Sequence, residues 1–253
     1  MNLKINFFNK DQILSLEKTR QEYLNLRFTK KIEYFYESYN KFKNIKSFFL
    51  YFKFIYRKKL VDQLKKKTPI KLLSYYKDLD YYRLVYLQKF LKKKKPKLIV
   101  EFGAGLSTFI LLDAINKLKI DCKIISYDNS IEYVKKTKEF LLEFDPKKKV
   151  EIRLCQLDYF IFNNSRYICY KDADYPKKID FLYVDGPVVY NKEHNSNLVM
   201  CGDIIRLIQN NIFPKYFIFD KKFGLSYSVK HELKKIYKKK FNFLFKTIEY
   251  ETK

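Results

Sequence analysis

Through the first third of the chain, apolar residues recur at helical spacing among Lys and Glu: Ile13, Leu16 and Tyr23, then Ile32, Phe35, Tyr36 and Tyr39. The spacing predicts helices over roughly 11–40 and 43–66. Asp78–Lys95 continues the pattern, and its basic end suits the negative pole of a helix dipole before Pro96 stops it. At Lys97 the period changes. Lys97–Phe102 (K-L-I-V-E-F) is a short apolar run closed by glycine, the pattern of a buried strand. Beyond it the pattern predicts helices at Leu106–Leu118, Ile131–Phe144, Asn197–Asn210 and Ser226–Lys238. Strands are expected at Cys122–Tyr127, Val150–Leu157, Ile179–Val184 and Lys215–Phe219, with Phe241–Tyr250 closing in strand character. The stretch after Leu157, rich in Asn, Asp and Tyr, reads as a loop.

Strands alternating with helices require βαβ crossovers. The expected fold is therefore α/β: a doubly wound, mostly parallel sheet with helices on both faces, preceded by an N-terminal helical extension. The boundary is expected near residue 95. Residues 1–95 form the extension, packing on or preceding the core, and 96–253 the sheet domain. Ligands of such sheets bind beyond the carboxyl ends of the strands, near the switch point.

Composition changes this picture little, and charge changes it more. A hydrophobic content of 47% excludes a wholly disordered chain, and 253 residues suffice for one α/β domain plus an appendage. The formal charge is +25. Such a value points to nucleic acid, an anionic membrane surface or an acidic substrate. A drift toward Lys, Asn, Ile, Phe and Tyr from A/T-rich coding explains it equally well, and nucleic acid is not favoured. The excess is uneven: residues 1–100 hold 26 Lys+Arg against 8 Asp+Glu, the remainder 27 against 20. Cys122, Cys155, Cys169 and Cys201 are widely spaced without a C-x-x-C pair, so neither a zinc site nor a disulfide framework is expected. No secretory signal or spanning segment is evident, which predicts a cytoplasmic, basic protein, soluble or peripheral to the inner membrane face.

The sharpest chemical feature is Val100–Thr108, V-E-F-G-A-G-L-S-T, at a strand-to-helix junction. Gly103 and Gly105 permit a tight turn and close approach to a ligand. The following helix offers free N–H groups, and Ser107 and Thr108 add hydroxyls. A phosphate-binding P-loop would need Gly-Lys-Ser/Thr. A dinucleotide fingerprint would put a third glycine where Thr108 stands. Glu101 would also sit poorly beside a pyrophosphate. It suits a ligand with a positive amino group and no phosphate, as S-adenosylmethionine is. Asp128 ends the second strand near the spacing at which a carboxylate takes ribose hydroxyls, or it caps the helix starting near Ile131. Asp158, after the third strand, is an acceptor for an adenine amino group or a solvated turn residue. Ile179–Pro187, I-D-F-L-Y-V-D-G-P, delivers Asp185 to the sheet rim, or is simply a turn.

Together these residues resemble the class I S-adenosylmethionine-dependent methyltransferases, whose core is a Rossmann-like domain. They look in particular like a bacterial group with an E-F-G-[S/A]-G-x-S-T loop and D-G-P after the fourth strand. The resemblance covers about residues 97–220. It implies that Glu101, Gly103, Ala104, Gly105 and Ser107 surround the methionine part of the cofactor. It also implies that Asp128 and Asn129 hold the ribose and adenine edge, that Asp158 holds the adenine, and that Asp185 faces the methyl group.

The chain departs from two relatives of that group. It lacks the Asn/Asp-Pro-Pro-Tyr/Phe tetrad of nucleobase amino methyltransferases. Asp185 and Asp220 mimic two metal ligands of catechol-type enzymes, but Lys221 stands where an Asn should be, so Mg²⁺ is not favoured and no metal site is assigned.

The expected reaction is methyl transfer to oxygen or nitrogen of a small molecule, sugar or lipid-linked acceptor, with Asp185 as candidate base and His194 sharing that role. The alternative is a non-catalytic protein of the same fold that binds a partner or a membrane surface. Residues 41–67, with nine Lys among Phe, Leu, Ile and Tyr, suit either an anionic membrane surface or a helix packed on the core.

Overall fold

A computed structural model describes residues 58–66, 68, 78–162, 165–187, 200–220, 233–242 and 247–253. The chain divides into two compact units, Met1–Thr68 and Pro69–Lys253. In the first unit residues 58–66 are helical, with Val61 and Leu64 buried. The helix expected over 11–40, most of 41–67, His194 and Lys221 lie outside the described residues. Among the described residues, no helix is long and apolar enough to cross a membrane.

The second unit opens with α1 (Asp78–Lys94), the helix expected to close the extension. Its middle is buried nearly all round, with Arg83, Leu84, Val85, Tyr86 and Leu87 in succession and then Phe90 and Leu91, and its last turn carries Lys92, Lys93 and Lys94. Then follow β1 (Leu98–Phe102), α2 (Leu106–Lys117), β2 (Lys123–Asp128), α3 (Ile131–Phe144) and β3 (Val150–Leu154). These elements lie within a few residues of their predicted bounds because each is set by local periodicity. In α3 only Val134, Thr137 and Leu141 are buried, at spacings of three and four, as one helix face requires. Ser130 caps it, its hydroxyl accepting from Tyr133 N at 3.2 Å. Helix α2 is buried almost all round, so its sequence is apolar almost throughout.

The stretch read as a loop contains two strands, β4 (Leu157–Phe162) and β5 (Ser165–Tyr170), paired antiparallel. Leu157, expected to end the third strand, begins β4 instead. The reading failed because Asn and Asp dominate the turn chemistry while L-D-Y-F-I-F and S-R-Y-I-C-Y are short alternating runs that become strands only when paired. With the two-residue β7 (Met200–Cys201) they form a small separate sheet, β4-β5-β7.

The chain continues through β6 (Phe181–Val184), α4 (Asp203–Gln209) and β8 (Tyr216–Asp220). It ends with β9 (Tyr237–Asn242) and β10 (Thr247–Thr252). Here too there are corrections. The predicted helix over Ser226–Lys238 overruns β9, and the single closing strand is a pair of antiparallel strands. Among the described residues of the predicted helix Asn197–Asn210, Met200 and Cys201 are strand and Asp203–Gln209 is helical.

The main sheet has the order β3-β2-β1-β6-β8-β10-β9. Its parallel strands run together, and β10 alone runs against its neighbours, lying between β8 and β9. The fold is thus Rossmann-like: doubly wound and mostly parallel, with the switch point between β1 and β6. Helices α1, α2 and α3 cover the face of Phe181, where Phe90 of α1 packs in a tilted pair at 4.5 Å between centroids. Helix α4 covers the other face, in a core with Val100, Phe102, Leu182 and Val184. The carboxyl ends of β1, β2 and β6 meet at the switch point, where the candidate site lies.

Candidate active site at the sheet rim

Strand β1 ends in Glu101 and Phe102, whose side chains point to opposite faces. Glu101 is fully buried. Its Oε2 accepts from Thr108 Oγ1 at 2.5 Å and Ser126 Oγ at 2.8 Å, while Oε1 has no hydrogen-bond partner among the described residues. Burial is the main force on this carboxyl and drives its pKa up to about 7. The hydroxyls of Ser107, Thr108 and Ser126 oppose that rise, and the negative charge of Asp185 adds to it. A buried acceptor left unpaired costs about 1–3 kcal/mol, which a donor reaching Oε1 would recover.

Thr108 stands where a dinucleotide fingerprint has its third glycine, and the structure shows what it does there. Its hydroxyl accepts from Gly105 N at 3.0 Å and donates to Glu101, tying the turn to the strand. Ser107 is also buried, beside the same carboxylate.

The turn itself is built by glycine. Gly103 has φ +97°, and a Cβ there would lie 2.9 Å from Gly186 N. A Cβ on Gly186 would lie 2.8 Å from Gly103 Cα. The loop after β1 and the D-G-P turn after β6 therefore touch backbone to backbone. Gly103 N donates to Tyr127 O at 2.8 Å and Asp185 N to Phe102 O at 2.8 Å, completing the junction of the three strands.

Asp128 is buried, and both its oxygens are engaged. Oδ2 accepts from Ala104 N and Oδ1 from Ser130 N, each at 2.7 Å. It thus fastens the glycine turn to the start of α3. Burial raises its pKa, and backbone N–H bonds from Ser130, Ala104 and Asn129 oppose this. Asn129 follows it, half-buried on the same rim.

Asp185 lies at the end of β6 with its side chain one-third exposed, and Oδ1 is 3.7 Å from Arg83 Nη1. Arg83 comes from α1 and is itself buried. Sequence reasoning missed it, because one arginine among so many basic residues carries no local signal.

Tyr170, at the end of β5, is fully buried and its hydroxyl has no hydrogen-bond partner among the described residues. That oxygen would be 3.0 Å from a Cβ on Gly186, so it borders the contact of the two glycine turns. Its ring packs with Phe102, Tyr127 and Tyr175 in one aromatic cluster.

Asp158 is carried by none of the strands β1, β2 and β6. It lies in β4 of the small sheet, paired with Arg206 of α4 at 3.4 Å and half-exposed. Glu101, Gly103, Ala104, Gly105, Ser107, Asp128, Asn129 and Asp185 are brought to one rim by β1, β2 and β6. Among the described residues no group of three His, Cys, Asp or Glu side chains is arranged to hold a metal ion.

No family model matches this chain, and no curated protein matches it in sequence. It is similar to several solved structures at low identity. A methyltransferase from Geobacter sulfurreducens is 14% identical over 67% of this chain and 77% of that one, with a TM-score of 0.42. An SAH-bound methyltransferase from Podospora anserina is 11% identical over 78% and 87%, with a TM-score of 0.44. The O-methyltransferase TomG from Streptomyces achromogenes, in complex with SAM, is 13% identical over 66% and 78%, with a TM-score of 0.39.

Proposed function

We propose that this chain binds S-adenosylmethionine at the rim of β1, β2 and β6 and transfers its methyl group to oxygen or nitrogen of an acceptor held beside Asp185. The observation that carries the reading is the buried, unpaired Oε1 of Glu101 at the foot of a glycine turn. An ammonium donor satisfies that oxygen, whereas a phosphate would be repelled by it. The donor set fits the cofactor: a carboxylate for the amino group, two glycines for close approach, and Asp128 with Asn129 along the same rim.

The cofactor supplies a methyl group on a cationic sulfur that leaves readily. The protein's part is to align an acceptor and take its proton. Asp185 is exposed enough to meet an acceptor, and Arg83 anchors the carboxylate from α1. Glu101 orients the bound amino group without touching the acceptor.

A second reading, a fold that no longer turns over, is favoured by one observation. Two carboxylates assigned to the cofactor already have protein partners: Asp128 accepts from Ala104 N and Ser130 N, and Asp158 pairs with Arg206. Calorimetry decides between them. Adenosylmethionine should bind the wild-type protein, and Glu101→Ala should weaken that binding by about 1.5–3 kcal/mol, the range for hydrogen bonds to charged groups. Absence of binding to the wild type, or equal binding by both proteins, removes the assignment.

A further inference from the structure

The opposite end of the sheet has a different chemistry. All the parallel strands begin there, and β10, running against them, ends there. Each of six strands has an exposed lysine at that end: Lys97 before β1, Lys123 opening β2, Lys148 before β3, Lys178 before β6, Lys215 before β8 and Lys253 after β10. Neighbouring strands are about 4.8 Å apart, so this row spans about 24 Å. None of these lysines forms an ion pair with an acid among the described residues.

Most acids at this end are already committed. Asp180 Oδ2 accepts from Lys97 N and Leu98 N, Asp145 takes Lys149 N and Val150 N, and Glu251 pairs with Lys94. Asp121 and Glu143 are the exposed acids beside the row. The turns after β1, β2, β3 and β6, Gly103–Ser107, Asp128–Ser130, Leu154–Gln156 and Asp185–Pro187, contain no lysine, whereas Lys221 and Lys222 directly follow β8 in sequence and Lys246 directly precedes β10.

Two large apolar side chains are exposed at the lysine-bearing end, Leu142 in the last turn of α3 (86%) and Phe213 two residues before Lys215 (42%). We infer that this amino end of the sheet docks on an anionic lipid bilayer, with the lysines over the headgroups and Leu142 and Phe213 entering the interface. The face is broad, with lysines supplying point charges and no arginine forks among the described residues there. That suits a laterally diffuse anionic surface better than phosphates held in a defined geometry. Docked this way, the molecule turns its carboxyl rim away from the bilayer, toward water. The inference rests on the fold and its charges, and holds whether or not the rim binds a cofactor.

The test uses the full chain and sedimentation with phosphatidylcholine vesicles, with and without phosphatidylserine, at low salt. Binding is expected only with phosphatidylserine and should be released as salt is added. Replacing Lys148, Lys178 and Lys215 together by Gln should lower the partition coefficient at least about tenfold. Replacing Lys135, Lys171 and Lys240, exposed elsewhere on the same unit, should change it less than about twofold. Circular dichroism confirms that both triple variants are folded, and Phe213→Ser provides a variant that leaves charge untouched and should also weaken binding. Equal loss in both triples would reduce the effect to net charge and overturn the inference. So would no vesicle binding by the wild type, or binding to a DNA duplex in preference to vesicles.

Discussion

The two ends of the sheet use the same device for different purposes. At the amino end, Asp145 and Asp180 each accept two backbone N–H groups where strands begin, which satisfies donors that a strand start leaves open. At the carboxyl end, Asp128 likewise accepts two N–H groups, but Glu101 beside it keeps an oxygen unpaired. The chain there also takes a left-handed turn at Gly103 and brings two backbones into contact. The amino end is therefore satisfied, and the carboxyl end keeps polar groups unsatisfied next to a tight junction. Proteins tolerate such costs where a ligand or a reaction recovers them.

The largest test of this contrast is Gly103→Ala. The substitution adds a side chain at φ +97° and forces it against Gly186 N, so a loss of about 3 kcal/mol or more is expected in a urea titration. Lys147→Ala, at the exposed amino end, should shift stability by no more than about 0.5 kcal/mol. Similar small losses for both would mean that the turns do not meet as closely as the backbone indicates.

Next in size is the pH dependence of Glu101. Its carboxyl sits near pKa 7 in the folded chain against an ordinary 4.5, so the fold disfavours its charged form. Below pH 4.5 the group is neutral in both states and costs nothing. As pH rises from 4.5 to 7 the unfolded chain ionises first, and the native state loses on the order of 3 kcal/mol. Glu101→Gln does not titrate, so its stability relative to wild type should climb through that window and level off above it. A stability difference independent of pH would show that Glu101 ionises freely.

Smaller still are Asp145→Ala and Asp180→Ala. Each leaves two strand-start N–H groups without their acceptor, and a loss of about 1–2 kcal/mol is expected from partly solvated donors. Neither should change adenosylmethionine affinity in calorimetry. A large affinity change would mean that the two ends are coupled and the comparison is too simple.

Much of the rim was legible in the chain because its parts are local. The run V-E-F-G-A-G carries its strand, its turn and its buried acid within a few residues, and D-G-P marks the end of β6 in the same way. Asp128 was open to two readings, ribose acceptor and cap. The structure shows a fastening role in which one partner, Ala104 N, comes from another loop. Sequence spacing could not reveal that partner, since it depends on β1 and β2 lying side by side.

Periodicity by itself determined the order of helices and strands from Asp78 to Leu154 and the position of the glycine turn, because hydrophobic spacing is written within one helical turn or one strand. Tertiary structure decided the rest. The hairpin β4–β5 exists because two weakly strand-like segments pair. Thr108 became a bridge because α2 returns over β1. Arg83 reached Asp185 because α1 lies across the sheet with its first turns at the carboxyl rim. Each of these depends on groups distant in sequence meeting in a buried place, where an unpaired polar atom is costly and a paired one is held, and no local pattern encodes which partners will meet.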